Sequence, residues 1–323
     1  MYKAFFNLDR NPFDLTPDPA FLFPTKRHNE ALAALYYGVR RHKGFVVLTG
    51  EVGTGKTLLL RCLLQLFKLS GDVSYAYLFN SRLSATEFLQ YIVSDFGLSA
   101  SGKNKGELLL ELCNYVVSRG LKKLTSVLIV DEAHHLSTDI LEEVRLLTNL
   151  ETPTEKLLQI VLVGQPELDE KLDSTRLRQL KQRIALRAQL EALDANETKG
   201  YVERRLHAAG ANSSATAVFP TETIAAVYCH SRGIPRLINT ICENALLIAY
   251  TKQIRSVTPE IIDDIVEDFR LDVVGPTEIE RGYEDDGSDM QRAVKTLLEL
   301  YTSMQKSRAG SQDGRVPVGA RLP

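Results

Sequence analysis

Tryptophan is absent from the 323-residue chain, and methionine and cysteine are scarce, with three and four copies. The cysteines, Cys62, Cys113, Cys229 and Cys242, form no C-x-x-C pair, and each falls in an apolar periodic segment. We therefore expect reduced cysteines that pack in the core, and neither a disulfide framework nor a zinc site. Long apolar runs are also missing, because stretches such as Phe45–Leu48 are far shorter than the about 20 residues of a membrane-spanning helix. No membrane span is expected.

Neither sign of charge dominates, because 39 basic residues face 41 acidic ones and leave a formal net charge of −2. This balance argues against broad nonspecific binding of nucleic acid, but it leaves a local basic patch open. The aromatic N-terminal stretch is interrupted by Asp9, Arg10, Asp14 and Asp18, so it lacks the apolar core of a secretory signal. We expect a cytoplasmic location.

Short apolar runs alternate with segments of helical period from Phe45 to Gln189, a pattern typical of a parallel sheet covered by helices. The strands are predicted near Phe45–Thr49, Ser74–Phe79, Ser126–Val130, Gln159–Val163 and Ile184–Gln189. From about Asp194 the strand-like runs stop and four helical patterns follow. The sequence therefore predicts an α/β domain followed by a small all-helical domain.

These patterns divide the chain into an N-terminal segment, residues 1–43, an α/β core, residues 44–193, a helical domain, residues 194–270, and an acidic linker, helix and polar tail, residues 271–323. The aromatic stretch Phe13–Phe23 can be stable only if it packs on this body or on a partner. In the last part, an apolar seam with spacings of 4, 3, 4 and 3 predicts an amphipathic helix that binds a partner or folds back on the chain. The seam residues are Met290, Val294, Leu297, Tyr301 and Met304.

Residues Gly50–Thr57 read GEVGTGKT, which fits the phosphate-binding pattern G-x-x-x-x-G-K-[ST] between a predicted strand and a predicted helix. The glycines let consecutive backbone N–H groups point at a β-phosphate, the ammonium of Lys56 neutralises phosphate charge, and the hydroxyl of Thr57 is a ligand for Mg²⁺. The candidate nucleotide-binding residues are Gly50, Glu51, Val52, Gly53, Thr54, Gly55, Lys56, Thr57 and Leu58.

The apolar run Val127–Val130 ends in Asp131 and Glu132, which places both carboxylates at the carboxyl edge of a buried parallel strand, where ligands bind in open α/β sheets. With a phosphate-binding loop upstream, we expect Asp131 to hold Mg²⁺ through water. Glu132 would orient or deprotonate the water that attacks a γ-phosphate. The continuation to D-E-A-H matches a helicase signature, but such enzymes need a second RecA-like domain for which this chain has no room. We expect His134 and His135 to pack against or cap the following helix.

The order of these features resembles that of AAA+ ATPases, with a polar strand end at Gly164–Leu168 and the sequence Gly233–Arg236 in a helical lid. Within that group, Asn11–Pro19, which reads NPFDLTPDP, and Gly44–Thr57 are similar to general secretion pathway protein A and related ATPases of exopolysaccharide and protein-sorting loci. The resemblance covers roughly residues 1–270. It implies a P-loop NTPase sheet of the AAA+ type with a helical lid, ATP and Mg²⁺ as ligands, ATP hydrolysis, and assembly as a homo-oligomer.

The resemblance also assigns roles to single residues. Gln165 corresponds to the first sensor, which contacts the γ-phosphate or the attacking water. Arg236 corresponds to the second sensor, whose guanidinium can close the lid with charge-assisted hydrogen bonds. Asn80, after the second strand, corresponds to a polar residue that can hold the catalytic glutamate inactive until a partner binds.

Arginines cluster before and within the fifth predicted strand, where AAA+ proteins carry the arginine that reaches a neighbouring subunit's site. They are Arg176, Arg178, Arg183 and Arg187. We select Arg183, because Gln182-Arg183-Ile184 resembles the opening of that strand in initiator ATPases; a solvated charge cluster is the alternative. An arginine acting in trans would make hydrolysis depend on assembly.

The resemblance favours an ATPase that energises or assembles an envelope export machinery. Members of the secretion group continue into a membrane span, whereas residues 271–323 read as a linker, a helix and a tail. We therefore expect either coupling through a membrane-protein partner at the inner membrane or membership of the soluble relatives linked to polysaccharide export. A DNA-acting regulator of the transposition or initiator type is less favoured, because only about 50 residues follow the lid and no basic stripe is evident. A nucleotide-dependent switch with little turnover is the remaining alternative.

Overall fold

The computed structural model describes residues 2–79, 83–211 and 215–269, and its centre is a parallel sheet of five strands. The strands are β1 Phe45–Gly50, β2 Val73–Leu78, β3 Thr125–Val130, β4 Leu158–Gly164 and β5 Leu186–Leu190. Their order across the sheet is β2-β3-β4-β1-β5. Every residue of β1, β3 and β4 is buried, as expected for strands covered by helices on both faces. The predicted α/β fold is confirmed.

Helices precede, connect and follow these strands. They are α1 Tyr2–Phe5, α2 Lys26–Arg40, α3 Lys56–Ser70, α4 Ala85–Asp95, α5 Lys105–Leu121, α6 Thr138–Leu147, α7 Glu167–Leu172, α8 Arg178–Lys181, α9 Ala195–Ala208, α10 Ala215–Val218, α11 Thr221–Ser231, α12 Pro235–Thr251 and α13 Pro259–Phe269. Short 3₁₀ turns lie at Pro19–Phe21, Ala133–His135 and Thr175–Leu177. Helices α9 to α13 form the predicted helical lid. No helix in the described ranges is long and apolar enough to cross a membrane.

Strand β5 begins two residues later than its apolar pattern predicts. The reason is a turn after α8, in which the N–H groups of Arg183 and Ile184 donate to the carbonyls of Leu180 and Lys181. Arg183 therefore precedes the strand and does not open it.

One part of the N-terminal segment packs on the sheet and another part packs on the helical lid. Helix α2 packs on β1 and β5, and a Cβ on Gly38 would lie 2.5 Å from a methyl group of Val46. The residues before α2 join the lid core instead. Phe13 is fully buried there, edge-to-face with Phe219 at 5.8 Å between ring centroids, and the Arg205 guanidinium donates to the Pro12 carbonyl at 2.8 Å. The aromatic stretch therefore packs on the body of the same chain.

The cysteine prediction holds for Cys62 and Cys242, which are buried and unpaired, and Cys113 is half-buried. It is wrong for Cys229, which is exposed. The inner face of α11 is formed by residues such as Ile224 and Val227, and Cys229 lies two positions further, on the opposite side of the helix.

Burial of Phe13 in the lid core leads to a stability prediction. Phe13→Ala should lower the free energy of unfolding by about 3–5 kcal/mol, because it removes a fully buried ring and leaves a cavity. Leu15→Ala is the matched control from the same segment, since that side chain is 55% exposed and should change stability by less than about 0.5 kcal/mol. Chemical denaturation measures both, and equal small losses would show that the segment does not belong to the core.

Candidate nucleotide-binding site

Polar residues follow neighbouring strands at the carboxyl edge of the sheet. Gly50 ends β1, Asp131 follows β3, and Gln165 follows β4, which pairs with both β1 and β3. The phosphate-binding loop and the two carboxylates therefore lie on either side of Gln165. This edge is where open parallel sheets bind their ligands.

The phosphate-binding loop has the backbone that its glycines permit. Gly53 and Gly55 have φ angles of +84° and +101°, in the left-handed region that other residues rarely adopt. Helix α3 begins at Lys56, so the free N–H groups of its first turn face the loop. Thr54 is fully buried, and its hydroxyl donates to the Glu51 carbonyl at 2.8 Å, which closes the turn.

Lys56 is held inside this loop. Its Nζ donates to the carbonyl oxygens of Gly50 at 2.6 Å and Glu51 at 2.9 Å, and only 6% of the residue is exposed. Burial lowers the pKa of Lys56, while the nearby Glu132 and Asp131 carboxylates oppose that shift. The ammonium is therefore placed where phosphate oxygens would complete its set of acceptors.

Asp131 lies beside the first turn of α3. The Thr57 hydroxyl is 3.5 Å from Asp131 Oδ2, the Tyr77 hydroxyl donates to the same oxygen at 2.7 Å, and the Glu132 N–H donates to Oδ1 at 2.9 Å. Burial raises the pKa of Asp131, and the bond from Tyr77 opposes that shift. A hydroxyl and a carboxylate at this separation are the hard oxygen ligands that Mg²⁺ prefers, so Thr57 and Asp131 fit that ion.

Glu132 adopts a left-handed backbone, with φ of +53°, which is uncommon for a residue other than glycine. Its Oε2 is buried and makes no hydrogen bond within the described residues, although His134 Nδ1 lies 3.5 Å away. That nitrogen accepts the Gln165 N–H at 3.3 Å, and burial lowers the pKa of His134, which favours the neutral ring, so Nδ1 carries no proton to donate to Glu132. One carboxylate oxygen of Glu132 thus has no hydrogen-bond donor among the described residues.

Glu132, His134 and His135 offer ligand atoms within 4.8 Å of one another. The engagement of His134 with Gln165 argues against a metal ion there. The histidine joins the turn after β3 to the end of β4, a role that differs from the predicted packing or capping of the next helix.

Arg236 contacts the phosphate-binding loop through its backbone. Its N–H donates to the Gly53 carbonyl at 3.2 Å, and a Cβ on Gly53 would lie 2.6 Å from Arg236 Cβ. The start of α12 is brought there by Gly233, whose φ is +73° and whose Cβ would lie 1.8 Å from the Leu193 carbonyl oxygen. The arginine side chain is exposed over the loop.

The arginine cluster does not touch the loop of its own chain. Arg183 lies before β5, at the amino edge of the sheet, and donates to the Thr148 hydroxyl at 2.6 Å. Arg187 pairs with Asp169 at 2.7 Å. Arg176 and Arg178 are exposed, and their side chains form no ion pair or hydrogen bond in the described part of the chain. Asn80 lies outside the described residues.

Two contacts of the site were missed by sequence reasoning, those of Tyr77 and His28. His28, on α2, is buried; its Nε2 lies 3.2 Å from the Thr54 carbonyl and its Nδ1 lies 2.7 Å from the Thr25 hydroxyl. Because a carbonyl only accepts, Nε2 carries the proton, and Thr25 donates to Nδ1. Burial lowers the pKa of His28, which keeps this neutral form. No local pattern links His28 to a loop 26 residues further along the chain.

The chain is similar to known proteins in sequence. The profile of the family described as AAA domain matches residues 39–172. General secretion pathway protein A of Aeromonas hydrophila is 43% identical over 253 residues, which cover 78% of this chain and 45% of that protein. The Mu-like prophage FluMu DNA transposition protein B of Haemophilus influenzae is 32% identical over 115 residues, 36% of each chain. The chain thus spans less than half the length of these curated relatives.

The fold has solved counterparts. The structure of the ORC2 protein of Aeropyrum pernix matches with a TM-score of 0.61 at 18% identity, covering 80% of this chain and 72% of that one. At this identity the likeness concerns the fold alone. It confirms the predicted AAA+ arrangement of sheet and helical lid.

The contact of His28 with the loop leads to a binding prediction. His28→Ala should weaken the affinity for an ATP analogue about tenfold, because the Thr54 carbonyl loses its buried donor and the loop loosens. His28→Gln, which keeps an N–H donor, should retain part of the affinity. His207→Ala is the matched control, since that exposed ring bonds the Ala211 carbonyl away from the loop. Titration calorimetry measures all three, and equal affinities would contradict the role of His28.

Proposed function

Because the chain contains an AAA domain in an AAA+ fold and is related to general secretion pathway protein A, we propose that it is a Mg²⁺-dependent ATPase that energises or assembles an envelope secretion or export machinery. The observation that carries the proposal is the convergence of Lys56, Thr57, Asp131 and Glu132 at one edge of the sheet. These residue types are those that phosphoryl transfer requires.

Each residue has a distinct part in the proposed reaction. The loop N–H groups and Lys56 would bind and orient the phosphates, and Thr57 and Asp131 would hold Mg²⁺, which supplies charge neutralisation when bound. Glu132 uses its unpaired oxygen to orient the attacking water and receive its proton. Gln165, between the loop and Glu132, would contact the γ-phosphate or that water, and Arg236 would close the lid over it.

The secretion role is supported by the 43% identity with general secretion pathway protein A, which covers 78% of this chain. In this proposal the protein acts on the cytoplasmic side of the inner membrane and couples to a membrane-protein partner. The second candidate is a DNA-acting ATPase, which is favoured by the 32% identity with a DNA transposition protein B over 36% of the chain. Retention on duplex DNA that falls with rising salt would favour this alternative.

Paired variants test the chemistry. Lys56→Ala should abolish nucleotide binding, because it removes the cation that the loop places at the phosphates. Glu132→Gln should bind ATP with near wild-type affinity but lose at least about a hundredfold in turnover, since general-base catalysis contributes at least that factor. Binding is measured by fluorescence of a labelled nucleotide and turnover by phosphate release. Wild-type turnover in both variants would show that the site is assigned wrongly.

We also propose that hydrolysis requires a homo-oligomer in which Arg183 reaches the site of the neighbouring subunit. Arg183→Ala and Glu132→Gln should each be inactive alone, whereas their mixture should regain activity, because one kind of interface combines an intact glutamate with an intact arginine. A mixture of Arg178→Ala with Glu132→Gln is the control for an exposed arginine of the same cluster. Arg183 would be rejected as that arginine if its variant, mixed with Glu132→Gln at saturating concentration, regained no ATPase activity. It would also be rejected if only the mixture with Arg178→Ala regained activity.

A further inference from the structure

Two leucines protrude at the amino edge of the sheet, opposite the phosphate-binding loop. Leu69, near the end of α3, is 65% exposed, and Leu121, at the end of α5, is 84% exposed. Each has lysine beside it in the chain: Lys68 precedes Leu69, and Lys122 and Lys123 follow Leu121. The helices that carry them lead directly into β2 and β3, which pair as neighbours.

Hydrogen bonds to Asp72 connect the loops at this edge of the sheet. Its side chain accepts from the Arg40 guanidinium at 2.5 Å, and its carbonyl accepts from Arg119 at 3.0 Å and from the Thr125 N–H at 3.1 Å. Arg40 ends α2, Asp72 precedes β2, and Thr125 begins β3. The ends of α2, α3 and α5 are therefore held side by side. We call the surface they form the basic rim; its residues are Arg41, Lys43, Lys68, Leu69, Leu121, Lys122 and Lys123.

The rim carries uncompensated positive charge. Of the acidic side chains around it, Asp72 pairs with Arg40 and Glu151 with Lys156, while Glu155 lies 3.1 Å from the His42 ring, which is charged only when protonated. The three lysines of the rim at the ends of α3 and α5 form no ion pair within the described residues, and Arg41 and Lys43 lie beside the Tyr37 ring, at 6.0 and 5.9 Å from its centroid. The surface can therefore attract an anion without breaking an existing pair.

Helix polarity explains only part of this pattern. Cations at helix C-termini are stabilised by the partial negative charge there, so lysines at the ends of α3 and α5 are favourable in themselves. That effect gives no reason for leucines exposed beside them. Binding of a nucleic acid backbone would require only the cations and would leave the exposed leucines without a role. Exposed leucines beside lysines suit the interface of an anionic bilayer. The leucine side chains can enter the boundary of the acyl chains, and the lysine stems can lie along that apolar layer while their ammonium groups stay at the level of the phosphates.

We propose that the basic rim docks on a membrane surface rich in anionic phospholipid. In that orientation the carboxyl edge of the sheet, with the nucleotide site, faces away from the bilayer. The docking is independent of ATP hydrolysis, so it can be tested whether or not the proposed function holds.

The test is co-sedimentation of the full chain with phosphatidylcholine vesicles, with and without phosphatidylglycerol. Binding should require phosphatidylglycerol and fall with rising salt. Lys122→Glu combined with Lys123→Glu should weaken it at least about tenfold. The control reverses two exposed lysines elsewhere, Lys26→Glu combined with Lys252→Glu, and should bind as the wild type does.

Leu69→Ser combined with Leu121→Ser separates a membrane from a nucleic acid. This variant keeps every charge, so it should lose vesicle binding several-fold while leaving any binding to duplex DNA unchanged. Circular dichroism melting checks that the variants are folded. Equal binding to vesicles of both compositions would overturn the proposal, as would full vesicle binding by the leucine variant. DNA binding that depends on Lys122 and Lys123, with no vesicle binding, would assign the rim to nucleic acid instead.

Discussion

The carbonyl groups of the phosphate-binding loop are the constraint on which the rest of the site depends. A loop that aims its N–H groups at an anion must turn its carbonyls inward, where each needs a donor. The ammonium of Lys56 donates to the carbonyls of Gly50 and Glu51. The N–H of Arg236 donates to the Gly53 carbonyl, and the His28 ring donates to the Thr54 carbonyl. Those donors come from α3, the lid and the N-terminal helix α2. Three separate parts of the chain thus fix one turn of backbone.

This arrangement makes the lid part of the nucleotide site even without its arginine side chain. The residues before α2 lie in the lid core, where Phe13 packs on Phe219, and α2 itself packs on the sheet. A movement of the lid would therefore act on the loop directly at Gly53, and indirectly through the N-terminal segment and His28. We therefore expect nucleotide binding and lid position to be coupled, because the loop whose N–H groups would bind phosphate also accepts a hydrogen bond from the lid at the Gly53 carbonyl.

Features that depend on neighbouring residues could be read from the sequence. The spacing within Gly50–Thr57 and the acids that end the run Val127–Val130 correctly predict that this loop and both carboxylates lie at the carboxyl edge of the sheet, because strand and loop geometry is local. The contacts of His28 and Tyr77 could not be read, since each joins segments that only the fold brings together. The start of β5 was displaced by hydrogen bonds of the preceding turn, which leave no apolar signature. The roles of Gln165, Arg236 and Arg183 stay predictions, and Asn80 and the seam from Met290 to Met304 lie outside the described residues.

The parallel sheet gives the protein two chemically different edges. Helices that connect parallel strands run against them, so helix N-termini collect at the carboxyl edge and helix C-termini at the amino edge. The first edge favours an anionic ligand, which is where Gly50–Thr57 lies. The second favours basic side chains at helix ends, which is where Lys68, Lys122 and Lys123 lie. Basic side chains at the amino edge are therefore favourable in this fold and by themselves indicate no ligand. The two exposed leucines beside them are not explained by helix ends. They are the observation that supports binding to a surface.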